Sequence, residues 1–139
     1  MIKKGVDRIF VAAGGTGNGV FTAAKEAKGD IKVIGCDVDQ FDDGVNGSEN
    51  IVLTSAAKFM GMNVEKALNS IVDGSFKGGH VVLHADTDST GFIREEGRHQ
   101  LSDDTLTKMN EAYEQMKKGS IVPASNFNGH TPDKFPGLK

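Results

Sequence analysis

The stretch Ile9-Phe10-Val11-Ala12-Ala13-Gly14-Gly15-Thr16-Gly17-Asn18-Gly19-Val20-Phe21 decides the fold. Its first five residues are apolar and bounded by glycine, the pattern of a short buried strand. Glycines follow at 14, 15, 17 and 19. From residue 20 to 28 the spacing is helical, with Val20, Ala23, Ala24 and Ala27 on one face and Gly29 as the stop. A strand that passes into a helix through glycines brings backbone close to a ligand with no Cβ in the way. The free N–H groups of the helix start then point at acceptor atoms.

The pattern repeats outward from there. Residues 32–37 and 50–55 read as further strands, and 40–50 as a polar loop with one helical turn. A helix is expected over 61–73, with Val64, Leu68, Ile71 and Val72 at helical spacing and Gly74 behind it. Residues 79–84 read as a fourth strand, and 85–100 as irregular and polar. Ser102 caps a closing helix with Asp103 and Asp104 in its first turn and Lys117 and Lys118 at its end. The apolar face of that helix is Leu106, Met109, Tyr113 and Met116. The tail over 120–139 holds all three prolines and is expected to be extended. Strand, helix, strand with continuous apolar strands predicts an α/β fold: a Rossmann-like parallel sheet with flanking helices on both faces and right-handed crossovers. One lobe is expected over 1–119. In such sheets ligands bind at the carboxyl ends of strands, where the 14–19 loop, Asp37 and the 54–58 segment all fall.

Bulk properties bound the rest. The 139 residues carry a net charge of −3, which does not fit a nucleic-acid backbone partner. Cys36 is the single cysteine, so no internal disulfide can form. No apolar run is long enough to span a bilayer. The N-terminus is basic without an apolar signal core, so the chain as written is expected to stay in the cytoplasm.

The glycine loop matches no phosphate motif in full. Gly14 and Gly19 have the right separation, but Val20 and Phe21 stand where Lys-Ser/Thr is needed. Gly15 and Gly17 open a dinucleotide fingerprint, Val20 replaces its third glycine, and Asp37 does end the next strand. A nucleotide-cofactor enzyme domain therefore stays open as an alternative. Asp37, and Asp39 beside it, would accept hydrogen bonds from sugar hydroxyls or cap a solvated turn. Lys58 would donate to a ligand oxygen or lie on the surface. Phe21 would present its ring to a planar ligand or pack in the core. His80 and His84 share a face if 79–84 is a strand, but no carboxylate stands at metal-ligand spacing. Residues 86–91 echo a calcium loop without its third acid or bidentate glutamate, so they read as a polar turn. No catalytic constellation is found and no metal site or cofactor is expected, so a non-catalytic binding domain is expected beside the cofactor-enzyme alternative.

Four blocks in order, VAAGGTGNGVFTAAKE (11–26), VIGCDVDQ (33–40), IVLTSAAK (51–58) and IVDGSFKGGHVV (71–82), resemble the basic membrane protein family of substrate-binding lipoproteins. These are the purine nucleoside receptors of bacterial ABC importers. The match runs from about Gly5 to Val82, weakens over 85–100, and returns with the closing helix and Gly119-Ser120-Ile121-Val122-Pro123. The resemblance implies one lobe of a type I periplasmic-binding-protein fold, which closes with a second lobe on a nucleoside of the guanosine, adenosine or inosine class and delivers it to a membrane permease. By the same resemblance Phe21 would stack on the base, Asp37 would bind the ribose hydroxyls, Lys58 would assist there, and Gly14, Gly15 and Gly17 would line the cleft. Family members are extracytoplasmic and lipid-anchored, with a first lobe ahead of the matching region. The chain is thus expected to be the C-terminal portion of such a receptor. An open sheet edge is expected to favour a homo-oligomer. The rival expectation is a self-associating or regulatory fragment with a vestigial site.

Overall fold

The computed structural model describes residues 1–123. They fall into two compact units, one of Met1–Phe59 with Gly91–Leu101 and one of Met60–Thr90 with the residues from 102 on. Most of the tail expected to be extended, 124–139, lies outside the described residues.

The first unit is built on β1 (Arg8–Phe10), β2 (Lys32–Asp37) and β5 (Val52–Lys58). β1 pairs with β2 and β2 with β5, both parallel. Between β2 and β5 come a 3-10 turn at Asp42–Gly44 and a small antiparallel pair, β3 (Val45–Asn46) and β4 (Glu49–Asn50). Helix α1 (Gly17–Glu26) joins β1 to β2. It buries Gly17, Phe21 and Ala24, a stripe at helical period. The sequence pattern placed Ala23 on this face, but Ala23 is exposed and Phe21 takes the inner position. The core joins these two side chains to Ile9, Val11, Ile31, Val33, Ile51 and Val52. Val33 and Val52 are fully buried, each contributing roughly 1.5–3 kcal/mol.

The parallel α/β sheet is as expected, but its two faces differ within this unit. Ile9 and Val33 pair side by side on the buried face, while Phe10, next along β1, is 55% exposed. The sheet order is β1-β2-β5-β6, where β6 is Thr90–Phe92. Beyond β6, Ile93 N donates to Ser55 O at 2.9 Å and Gln100 N to Leu53 O at 2.7 Å. The stretch expected to be irregular therefore supplies the sheet's far edge.

The second unit carries α2 (Met60–Val72) and α3 (Asp103–Lys117). Ser102 caps α3 as the sequence predicts, accepting from Thr105 N at 3.3 Å. Tyr113, buried on the expected face, donates through its hydroxyl to Thr90 O at 2.8 Å. Lys117 Nζ lies 2.8 Å from Asp88 Oδ1. The polar turn expected near 86–91 is present as a 3-10 turn, Ala85–Thr87. Ser89, two residues past it, is buried and bonded to Asn63.

One expectation is corrected here. Residues 79–84 form no strand, and Val81, Val82 and Leu83 are exposed. Gly79 takes φ +154, and the His84 backbone is tied to the Thr87 hydroxyl at 3.2 and 2.9 Å, so the end of this run caps the 3-10 turn that follows it. The strand periodicity that would have aligned His80 with His84 is therefore missing, and His84 instead pairs with Asp86. The helix at 60–72 forms, but its apolar stripe of Val64, Leu68, Ile71 and Val72 stays exposed. Among the described residues no helix is long and apolar enough to cross a membrane.

Candidate functional site

Three adjacent parallel strands of the first unit end at the candidate site. Past β1, Val11 N still donates to Ile34 O, and the chain then turns through a 3-10 segment at Gly14–Thr16. Gly14 has φ +51, a conformation that favours glycine. Nothing lies within 4 Å of where a Cβ would stand on Gly14 or Gly15. These two glycines leave open space above the sheet end. Gly17 differs. A Cβ there would meet Val11 Cγ1 at 2.9 Å, so this glycine serves the close approach of helix to strand. Thr16 turns its hydroxyl back to Ala13 O at 2.6 Å. No side chain caps α1 among the described residues, and the N–H of its first residue, Gly17, is donated to Gly14 O of the preceding 3-10 turn.

Asp37 ends β2 with φ +73, and Lys58 ends β5. The register sets Asp37 beside Ala57, which brings the next residue, Lys58, within reach. Lys58 Nζ lies 2.6 Å from Asp37 Oδ1, with the two side chains 60% and 47% exposed. The hydrogen bond from Lys58 holds the Asp37 carboxyl below its ordinary range and raises the ammonium. Cys36 Sγ reaches the same Oδ1 at 3.7 Å. Among the described residues Oδ2 is left to accept from a ligand. A carboxylate acceptor and an ammonium donor side by side suit a pair of hydroxyls, which both donate and accept.

The segment after Asp37 is held from several sides. Asp39 Oδ1 accepts from Phe41 N at 2.9 Å, and Gln40 Oε1 accepts from Cys36 N at 2.9 Å. Gln40 N donates to the Oγ of fully buried Ser55 at 3.1 Å. Arg98 reaches Asp39 and Asp42 together, a contact that sequence reading missed. It lies in a stretch without periodicity, and nothing in the spacing brings residue 98 to residues 39 and 42.

Phe21 lies apart from this group. It is 5% exposed and packed in the core with Ile9 and Val33, which is the core alternative of the sequence reading. Asp37, Lys58, Gly14 and Gly15 are brought together at one sheet end, and Phe21 and Gly17 lie beneath it. A shallow depression of about 620 Å3 elsewhere in the unit is lined by Lys32, Asn50 and Gln100 among others, but not by Asp37 or Lys58. Its polar groups bond one another, Lys32 Nζ and Gln100 Nε2 both to Asn50 O.

The chain is similar to known proteins. Residues 1–126 match the Bmp family, described as ABC transporter substrate-binding protein PnrA-like. A CD4+ T-cell-stimulating antigen of Listeria monocytogenes is 38% identical over 132 residues, covering 87% of this chain and 36% of the relative. Its Listeria innocua counterpart is 37% identical over the same shares. The chain thus spans little more than a third of these relatives. Among solved structures, an ABC transporter solute-binding protein from Aeropyrum pernix superposes with TM-score 0.66 at 22% identity, over 91% of this chain and 43% of the other. A transcriptional activator of the comK gene from Bacillus halodurans superposes with TM-score 0.71 at 19% identity, over 88% and 41%. These similarities place the fold among solute-binding proteins.

Proposed function

The chain belongs to the Bmp family of PnrA-like ABC transporter substrate-binding proteins, and from that premise we propose that it binds a purine nucleoside. The family's part in transport is to bind a solute, not to transform it. In this reading Asp37 accepts from the ribose hydroxyls and Lys58 donates to a ribose oxygen. Gly14 and Gly15 provide a wall that lets the ligand approach the first turn of α1. The observation that carries the reading is the Asp37–Lys58 pair, 2.6 Å apart and half open to solvent, at the carboxyl ends of neighbouring parallel strands. Phe21 would have to leave the core to stack on a base, so its part here is to support the turn from beneath.

A small-molecule site typically encloses ~70–90% of its ligand. The residues 1–119, taken as one lobe, would supply one wall of such a site. The second wall and the contact with a permease belong to the whole extracytoplasmic receptor. Affinity of this chain alone is therefore weak. Calorimetry with guanosine, adenosine and inosine, each beside its 2′,3′-dideoxy analogue, tests the proposal. Binding that depends on the ribose hydroxyls supports it, and equal binding of both forms overturns it.

A second reading is favoured by what remains uncovered. β1 is a sheet edge, and the α2 stripe of Val64, Leu68, Ile71 and Val72 is exposed. Unpaired strand edges and apolar faces are surfaces that a second copy of the chain would cover. Light scattering across a concentration series separates the two readings: a mass that doubles supports self-association, and a constant monomer mass excludes it.

A further inference from the structure

Asp37 is one of two non-glycine residues at positive φ among the described residues. A side chain in that region is disfavoured by its own Cβ, so the conformation persists only where the surroundings impose it. The surroundings here converge on one residue from a distant part of the chain. Arg98 Nε donates to Asp39 Oδ2 at 2.6 Å. Its Nη1 and Nη2 donate to the two oxygens of Asp42 at 2.7 and 3.0 Å. Its guanidinium also lies 5.3 Å from the centroid of the Phe41 ring. One side chain thus grips three of the five residues that follow the turn at 37. The planar guanidinium can do this because it presents several donors in a fixed fork.

On the nucleoside reading above, we infer that Arg98 is a positioning residue for Asp37, the carboxylate that accepts from the ribose. It touches neither Asp37 nor Lys58 and acts by locking residues 39–42, so that the chain leaves β2 with Asp37 turned toward Lys58. Gln40 completes the lock from within, because its Oε1 holds the Cys36 N–H and its own N–H is held by Ser55. The specificity of the site for a ribose then depends on a residue outside the glycine loop and outside the strands that carry the site.

The test compares Arg98→Met, Arg98→Lys and Asp42→Asn with the unaltered full chain. Lysine keeps the charge but cannot hold two carboxylates through a fork. The first readout needs no ligand: the titration of the Asp37 side chain followed by carbon NMR. Release of the turn moves that titration up toward 3.8 in all three variants. The second readout is affinity for guanosine beside 2′,3′-dideoxyguanosine. Arg98→Met should weaken the former about tenfold, or 1.4 kcal/mol, and leave the latter unchanged. Wild-type titration in Arg98→Lys would overturn the inference, since the influence of Arg98 would then be its charge alone. Should the arginine variants fail to fold, Asp42→Asn decides by the same titration, because Asp42 is largely exposed. If no nucleoside binds the unaltered chain, the ligand reading falls while the Asp37 titration still judges the lock.

Discussion

Phe21 shows how one residue type supports two readings that only packing separates. After a glycine loop, a phenylalanine can serve a ligand or the core, and the sequence alone is compatible with both. The structure buries it at 5% exposure against Ile9 and Val33. Truncating it to alanine should cost about 3–5 kcal/mol of stability, read from denaturant unfolding. A variant of unchanged stability that fails only to bind nucleoside would mark the ring as a ligand contact instead. The Asp37–Lys58 pair makes a prediction of its own. The folded carboxyl titrates below its ordinary 3.8 because Lys58 hydrogen-bonds it, so its contribution is complete above that value and is lost as pH falls through the lower folded one. Lys58 is raised above 10.5, so its contribution is complete below 10.5 and is lost as pH rises through the raised value. Ligand affinity at stepped pH should stay flat across the neutral range and drop only in the acid and strongly alkaline limbs. A transition near neutrality would point to a different group.

At the scale of elements, β2 was readable residue for residue, because a glycine-bearing apolar run ending in an acid admits few alternatives. Helices α2 and α3 were readable in place, with Ser102 as the cap of α3, whereas α1 begins three residues earlier than its pattern and buries Phe21 instead of Ala23. The sheet's outer strand was not. Residues 79–84 have the composition of a strand, yet among the described residues they pair with no strand, and the Thr87 hydroxyl holds the His84 backbone at the head of a 3-10 turn. The edge goes instead to Thr90–Phe92, three residues too few to carry a period. The exposed stripe of α2 has the same origin: periodicity says which residues share a face, not whether anything covers it. Gly35 offers a sharper test of β2. A Cβ there would stand 2.5 Å from Ser55 Oγ and 3.0 Å from Gln40. Gly35→Ala should therefore destabilise by about 1–3 kcal/mol and weaken ligand binding as well, since Ser55 and Gln40 hold the turn behind Asp37. Unchanged unfolding and binding would mean that this contact has room to relax.

At the scale of the molecule, the candidate site was legible as far as the placement of Asp37, Lys58 and the open glycines, because each falls at the carboxyl end of a strand. The Arg98 contacts with Asp39 and Asp42 were not, since they join residues more than fifty positions apart. The chain matches its family over 1–126 and spans 36% of the Listeria relatives, so in the proposed reading it supplies one wall of a cleft. That wall is reduced to its essential claim by calorimetric titration of guanosine into the unaltered chain and into Asp37→Ala. Weak, saturable binding to the unaltered chain that falls at least about tenfold in the variant, a loss of about 1.4 kcal/mol, is the predicted result. Equal affinity in the two proteins would contradict the account.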